Sequence, residues 1–420
     1  MTHLFYTLAI IALLPWALLH LLWRARRQPA YLRHWGERFG RYDAVVPTPT
    51  IWIHAVSVGE TRAAQPLIAA LKAHYPHYRI LLTHMTPTGR ATSEDLFGDT
   101  IERVYLPYDT PWGVRRFLRH FQPSIGLIME TELWPNLVAT CRTQQLPLLL
   151  VNARLSARSA RRYGRFPNLT HSALTQLAAI SAIGEEDAAR LRALGAPEVS
   201  VFGSVKFDIT PPPEQLTLGR ALRQRIGDRP VFLCASTREG EEALILDAWQ
   251  KVGVGGMALL AIVPRHPQRF DEVAGLIAAR GLTLQRRSDE KALAADTQVW
   301  LGDSMGEMFA YHAAADVVFV GGSLLDFGCQ NLIEPCAVGT PVLIGPSTFN
   351  FADAARGAIK AGAAIQVGNA AELVTQARAL LADDTQKNTM ASAGRHFASR
   401  HRGATERTMA LIEGFIPAAR

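Results

Sequence analysis

Cysteine is scarce in this sequence. The four present, Cys141, Cys234, Cys329 and Cys336, show no Cys-x-x-Cys spacing and no paired histidines, which argues against a zinc site or a disulfide framework and favours reduced thiols in a cytosolic compartment. No strand-like run is followed by GxGxxG, and no GxxxxGK(S/T) loop occurs, so dinucleotide oxidoreductases and P-loop nucleotide hydrolases drop out. No Asp-x-Asp pair is present to hold a divalent cation. Residues 4–23 contain no Asp, Glu, Lys or Arg at all.

That uncharged run, "LFYTLAIIALLPWALLHLLW", is long enough to cross a hydrocarbon core, and Trp23 at its end suits an interface. Pro15 and His20 leave a helix lying in the interface as the alternative. "RARR" at 24–27, with Arg33 and Arg38, follows the run, whereas no Lys or Arg precedes it. This asymmetry places the body of the protein on the cytoplasmic side. It also disfavours a cleaved signal peptide, for which "WRARRQPA" offers no small-residue cleavage site. Because the segment precedes the rest of the chain, it is expected to contribute to neither sheet described below. The balance of 44 Lys+Arg against 37 Asp+Glu, a net charge of +7, suits a membrane surface, phosphates or nucleic acid, and charge alone does not choose among them.

With 420 residues the chain is long enough for two cores. Short apolar runs alternate with amphipathic stretches. "TIWIHAV" (50–56) precedes a helix expected from Thr61 to Tyr75, and "RILLTHM", "IERVYLPYD", "SIGLIME" and "PLLLVNA" repeat the arrangement. The series restarts at "PVFLCAST" (230–237) and continues through "MALLAIVPR" (257–265), "TQVWLGD", "DVVFVGG" and "TPVLIGP". Strands separated by helices mean parallel sheets, so two Rossmann-like halves are expected. The proline triplet in "FDITPPPEQLTLG" marks the linker between them. The expected domains are an anchor with its basic flank over 1–27, a first Rossmann-like domain over 28–208, a linker over 209–219 and a second such domain over 220–420. In such folds ligands bind at the carboxyl ends of the strands, so polar residues there are the candidates.

In the first half these are "SVGE" (57–60), "METELWPN" (129–136) and "NARLSARS" (152–159). Glu60, Glu130 and Glu132 in one cleft would suit general acid-base work on a hydroxyl; each is equally readable as a helix-start acid favoured by the dipole. Lys206 in "GSVKFD" is either a surface lysine or one that reaches into the cleft. In the second half, "VPRHP" places Arg265 straight after a strand, "SMGEMF" is a glycine turn opening a helix, and "NLIEP" opens another. Free amides at helix starts suit phosphate, and a glutamate suits ribose hydroxyls. Glu334 also reads as a capping acid three residues after Asn331.

Taken in order, "WGERFGRYD", "HAVSVGET", "TPTGR", "YLPYDTP", "METELWPNL", "NARLSARSARRY", "GSVKFD", "STREGEE", "VPRHPQRF", "GDSMGE", "FVGGSL" and "GPSTFNF" resemble the Kdo transferases, which attach 3-deoxy-D-manno-octulosonic acid (Kdo) to the lipid A precursor of Gram-negative bacteria. The resemblance covers almost the whole chain. It implies the α/β GT-B architecture, two Rossmann-like domains with an interdomain cleft, plus the N-terminal membrane-anchor helix. It further implies Glu60 as general base and Glu130 and Lys206 as stabilisers of the transition state. CMP contacts fall to Pro264 and Arg265, to Met305, Gly306 and Glu307, and to Asn331, Leu332, Ile333 and Glu334. Gly328, Cys329, Gln330 and Asn331 stand where the family commonly has "GGHN", which leaves the asparagine in place and the histidine lost.

The chemistry so implied is inverting transfer from CMP-Kdo to lipid IVA at the cytoplasmic side of the inner membrane, in lipopolysaccharide biosynthesis. It uses no cofactor, no metal and no nucleic-acid partner. Two other readings use the same scaffold: a sugar-nucleotide epimerase acting on a UDP-sugar, which has no use for an anchor, and a non-catalytic binder of acidic lipids, which has no use for Glu60, Glu130 and Lys206.

Overall fold

The computed structural model describes residues 2–26, 28–43, 48–208, 210–253, 258–400 and 402–416. Arg27 of the basic flank, Ile209 of the expected linker and Met257 at the head of an expected strand lie outside these. The chain forms two compact units, Met1–Asp208 with Arg402–Arg420, and Ile209–His401.

The first unit contains β1 (Thr50–His54), β2 (Arg79–His84), β3 (Glu102–Tyr105), β4 (Ile125–Met129), β5 (Leu148–Ala153), β6 (Ala179–Ala182) and β7 (Ser200–Val201). They form one sheet in the order β3-β2-β1-β4-β5-β6-β7, with every pairing parallel. Alternate residues of β1 serve opposite faces. Trp52 joins Phe117 in one core, while Ile51 and Ile53 join Leu67 and Leu71 in the other. Gly126 in β4 is dictated by this packing, because a Cβ there would lie 2.6 Å from Trp52 Cε3. The strand order reverses between β1 and β4, which opens the crevice where doubly wound sheets hold ligands.

The second unit contains β8 (Val231–Thr237), β9 (Leu259–Pro264), β10 (Leu284–Arg286), β11 (Val299–Leu301), β12 (Val317–Val320), β13 (Val342–Ile344) and β14 (Ala364–Gln366). Their order is β10-β11-β9-β8-β12-β13-β14, again parallel, with the reversal between β8 and β12.

Three boundaries differ from the sequence-based expectation, each for a local reason. The expected helix from Thr61 to Tyr75 is two helices, Val58–Ala63 and Gln65–His74, because Pro66 has no N–H to continue the ladder. The expected linker 209–219 runs into a helix, Pro213–Ile226, since the last proline of the triplet occupies its first position, where a missing N–H costs nothing. The second domain does not run to residue 420. Helix Ala404–Glu413 buries Met409 and Ile412 in the core of the first unit, and the Asp208 carboxylate accepts the N–H groups of Gly403 and Thr405.

Helix His3–Ala25 joins neither sheet and is long and apolar enough to cross a membrane, with a mean hydropathy of 2.0 over its most apolar window.

Candidate active site

β1 ends at His54, and the chain turns through Ser57 into helix Val58–Ala63, whose first turn carries Glu60. The Glu60 side chain folds back on this turn. Its Oε2 accepts the Val56 N–H at 2.7 Å and its Oε1 accepts the Ser57 hydroxyl at 3.0 Å. The carboxyl is buried, and burial pushes its pKa up to about 7, with the charges of Glu130 and Glu132 adding to the rise. Glu60 is thus both the helix-start acid and a group poised to exchange a proton near neutrality. Glu132 is likewise pushed up to about 7, first by burial and then by Glu130.

Across the crevice, Glu130 directly follows β4 with φ +58°, a left-handed conformation that a side chain rarely adopts. Its Oε1 accepts a hydrogen bond from Lys206 Nζ at 3.1 Å. Lys206 lies on the short 3₁₀ turn Val205–Phe207, and Asn152 fastens that turn by accepting the Val205 N–H on Oδ1 at 3.1 Å. Asn152 is itself left-handed, φ +53°, at the irregularity where β5 pairs with β6. Glu60, Glu130, Glu132 and Lys206 are therefore brought together at the reversal point of the first sheet. Asn152, Val56 and Ser57 hold them there, and only the backbone geometry reveals those supporting roles.

In the second unit the candidates lie at strand ends in separate local arrangements. Arg265 follows β9, and its N–H donates to the Thr237 carbonyl at 3.0 Å. The Met305–Glu307 turn is stapled shut, because Glu307 is gripped by Arg287, 3.2 Å away, and accepts the Ser304 hydroxyl at 2.6 Å. Asn331 accepts the Ile333 N–H and donates its side-chain amide to Glu334 Oε1, each at 3.0 Å, but the helix Ile333–Val338 starts one residue later than expected, with Leu332 before it, so the expected capping box on Asn331 is not formed. Leu332 and Ile333 are core residues, 0% and 1% exposed, which leaves only their main chain to face a ligand. Cys329 adopts φ +69°, and the N–H groups of Cys329 and Gln330 return to the carbonyls of Gly322 and Gly321.

Sequence reasoning missed the two buried carboxylates at the reversal point of the second sheet. Glu241 accepts the N–H groups of Gly322 at 2.7 Å, Arg238 at 2.8 Å and Leu324 at 3.0 Å, which ties the ends of β8 and β12 together. Glu242 accepts the Thr237 hydroxyl at 2.8 Å and pairs with Arg269 at 2.7 Å. Their signal was "REGEE" after a strand, two acids at a helix start. Among the described residues no cluster of His, Cys, Asp and Glu is arranged to hold a metal ion.

A family model described as 3-Deoxy-D-manno-octulosonic-acid transferase (kdotransferase) matches residues 33–209. The 3-deoxy-D-manno-octulosonic acid transferase of Bordetella pertussis is 46% identical over 425 residues, covering 98% of this chain and 99% of its own. This chain belongs to the Kdo transferase family. The Haemophilus influenzae 3-deoxy-D-manno-octulosonic acid transferase is 36% identical over 423 residues, 99% of each chain. At the level of fold alone, a glycosyltransferase from Rickettsia africae aligns with a TM-score of 0.55 at 12% identity, over 89% of this Kdo transferase family member and 100% of the neighbour. Two parallel seven-stranded sheets with such a neighbour make the fold GT-B.

Proposed function

We propose that this Kdo transferase moves Kdo from CMP-Kdo to lipid IVA, as an inverting, metal-independent enzyme of lipopolysaccharide biosynthesis. The observation that carries the mechanism is the Glu60 carboxyl, buried, held by Val56 and Ser57, and titrating at about 7. A base is most effective when its pKa lies near the working pH. In a single displacement the acceptor hydroxyl oxygen bonds to the anomeric carbon while its proton passes to Glu60. The bond from that carbon to the phosphate oxygen breaks, its electron pair leaves with CMP, and the anomeric centre inverts.

Lys206, paired with Glu130, is assigned to offset charge that builds during transfer. In the second unit, Pro264 and Arg265 are assigned to the phosphate, Met305, Gly306 and Glu307 to the same nucleotide, and Asn331 with Glu334 to the ribose hydroxyls. Leu332 and Ile333 act there through their main chain. The leaving group is a phosphate monoester that already carries charge, so Lys206 and Arg265 suffice to stabilise it without a metal. The arginines at and just beyond the end of the apolar helix, Arg24 and Arg26 among them, favour the cytoplasmic side of the inner membrane for both units.

Incubating the purified protein with radiolabelled CMP-Kdo and lipid IVA in the presence of a chelator tests the reading directly. Label in the lipid product with CMP released is expected. Turnover of a UDP-sugar instead, or lipid binding with no CMP release, overturns it.

A further inference from the structure

Helix His3–Ala25 is fastened to the first unit at both ends. At its start, Tyr6 donates its hydroxyl to Asp109 Oδ2 at 2.8 Å, Thr7 donates to Asn136 Oδ1 at 2.7 Å, and His3 Nε2 lies 3.3 Å from the Pro135 carbonyl. These contacts belong to a closed network. Asp109, 4% exposed, also accepts the N–H groups of Asn136 at 3.0 Å and Leu137 at 2.8 Å, while Asn136 Nδ2 donates to the Asp109 carbonyl at 2.6 Å. At the other end, Leu21 and Ala25 are buried with Tyr31, whose ring carries the Arg24 guanidinium 4.4 Å from its centroid. From Tyr31 the chain reaches Arg38 within the same unit, buried over the Tyr105 ring at the end of β3.

A helix of this length that crossed a bilayer would separate its ends by roughly 34 Å along the membrane normal, at about 1.5 Å per residue. Tyr6 and Thr7 would then emerge on the face opposite Tyr31, out of reach of Asp109 and Asn136. The burial along the helix points the same way. Thr7, Ile10, Leu14, Ala17, Leu21 and Ala25, in steps of three and four, are buried or half-buried. Leu4, Leu8, Ala12, Trp16, Leu19 and Trp23, in the same steps, form an exposed apolar stripe. Trp16, His20 and Trp23 stack on one another along it, and Arg24, Arg26 and Arg33 stand exposed beside its end.

We propose that this helix lies in the plane of the membrane, with both ends seated on the first unit and its exposed stripe sunk into one leaflet, rather than spanning the bilayer. The proposal rests on the membrane association put forward above. Apolar and aromatic residues enter the acyl boundary, and the flanking arginines meet anionic headgroups. Its first turns bond to Asn136, six residues beyond Glu130, so the carboxylate crevice and the lipid surface share one stretch of chain.

Topology labelling tests this on the full chain. The four native cysteines are buried, and Thr2 and Arg26 are both exposed. Thr2→Cys and Arg26→Cys variants in right-side-out and inverted inner-membrane vesicles are treated with a membrane-impermeant maleimide. Both thiols are expected to react in the same vesicle orientation. A Thr2→Cys thiol that reacts only in the opposite orientation, or in neither, overturns the in-plane arrangement while leaving membrane association standing. Protein absent from the vesicle pellet overturns both.

Discussion

Each half of the molecule buries carboxylates where its strand order reverses, but the two sets are bonded differently. Glu60 takes its hydrogen bonds from its own turn, at Val56 and Ser57, and faces the like charges of Glu130 and Glu132. Glu241 spends its oxygens on the main chain of Arg238, Gly322 and Leu324, residues from the ends of two strands. A carboxylate bonded only within its own turn can change protonation without moving the sheet. One that joins two strand ends cannot, and its job is to shape the loops where the nucleotide is proposed to bind.

The sharpest way to break this comparison is Glu60→Gln. The amide can still accept from Val56 and donate to the Ser57 oxygen, so the fold and CMP affinity should hold while kcat falls roughly 10² to 10⁴-fold. An active variant would end the assignment of Glu60 as base. Glu241→Ala should do the reverse. It leaves three N–H groups without their acceptor, at about 1–3 kcal/mol for each that stays unsatisfied. A lowered urea midpoint is expected, together with weakened CMP binding; an unchanged midpoint would show that Glu241 does not brace the strand ends.

Arg265→Ala probes ligand binding itself and should weaken CMP by about 1.5–3 kcal/mol, the range for charged hydrogen bonds. Calorimetry showing equal affinity would remove it from the phosphate site. The smallest effect concerns pH. Glu60 and Glu132 titrate at about 7 in the fold against an ordinary 4.5, so the folded chain holds extra protons in that window. Their contribution to stability is therefore full below about pH 4.5 and is lost as pH rises through about 7. Glu132→Gln should flatten this slope and, by removing a like charge, shift the acid limb of the rate profile, set by Glu60, to lower pH. An unmoved limb would show that Glu132 does not act on the base.

The alternation of strands and helices was legible because burial on both faces of a parallel sheet leaves apolar runs of strand length. Glu60, Glu130 and Lys206 stood out through family motifs, and the structure places all three in one crevice. What could not be read depends on contacts far apart in the chain or on unusual backbone. The left-handed conformations of Glu130 and Asn152 carry no glycine to announce them. Asn152 meets Val205 across 53 positions, and Tyr6 meets Asp109 across 103. Leu332 and Ile333 were assigned with their motif, although alternation with Asn331 and Glu334 already hinted that two of the four face inward.

The return of Ala404–Glu413 to the first unit sets an order of manufacture. Its core includes Ala404, Met409, Ile412 and Ile416, yet these leave the ribosome only after the whole second unit has been synthesised. Domains otherwise tend to fold as they emerge, amino-terminal first. Here the half that begins first finishes last, and until it does, the groove beside helix Gln65–His74 exposes the apolar surface that the final helix covers. A nascent chain stalled inside the second unit would carry that groove open, its apolar lining lacking the one helix that covers it.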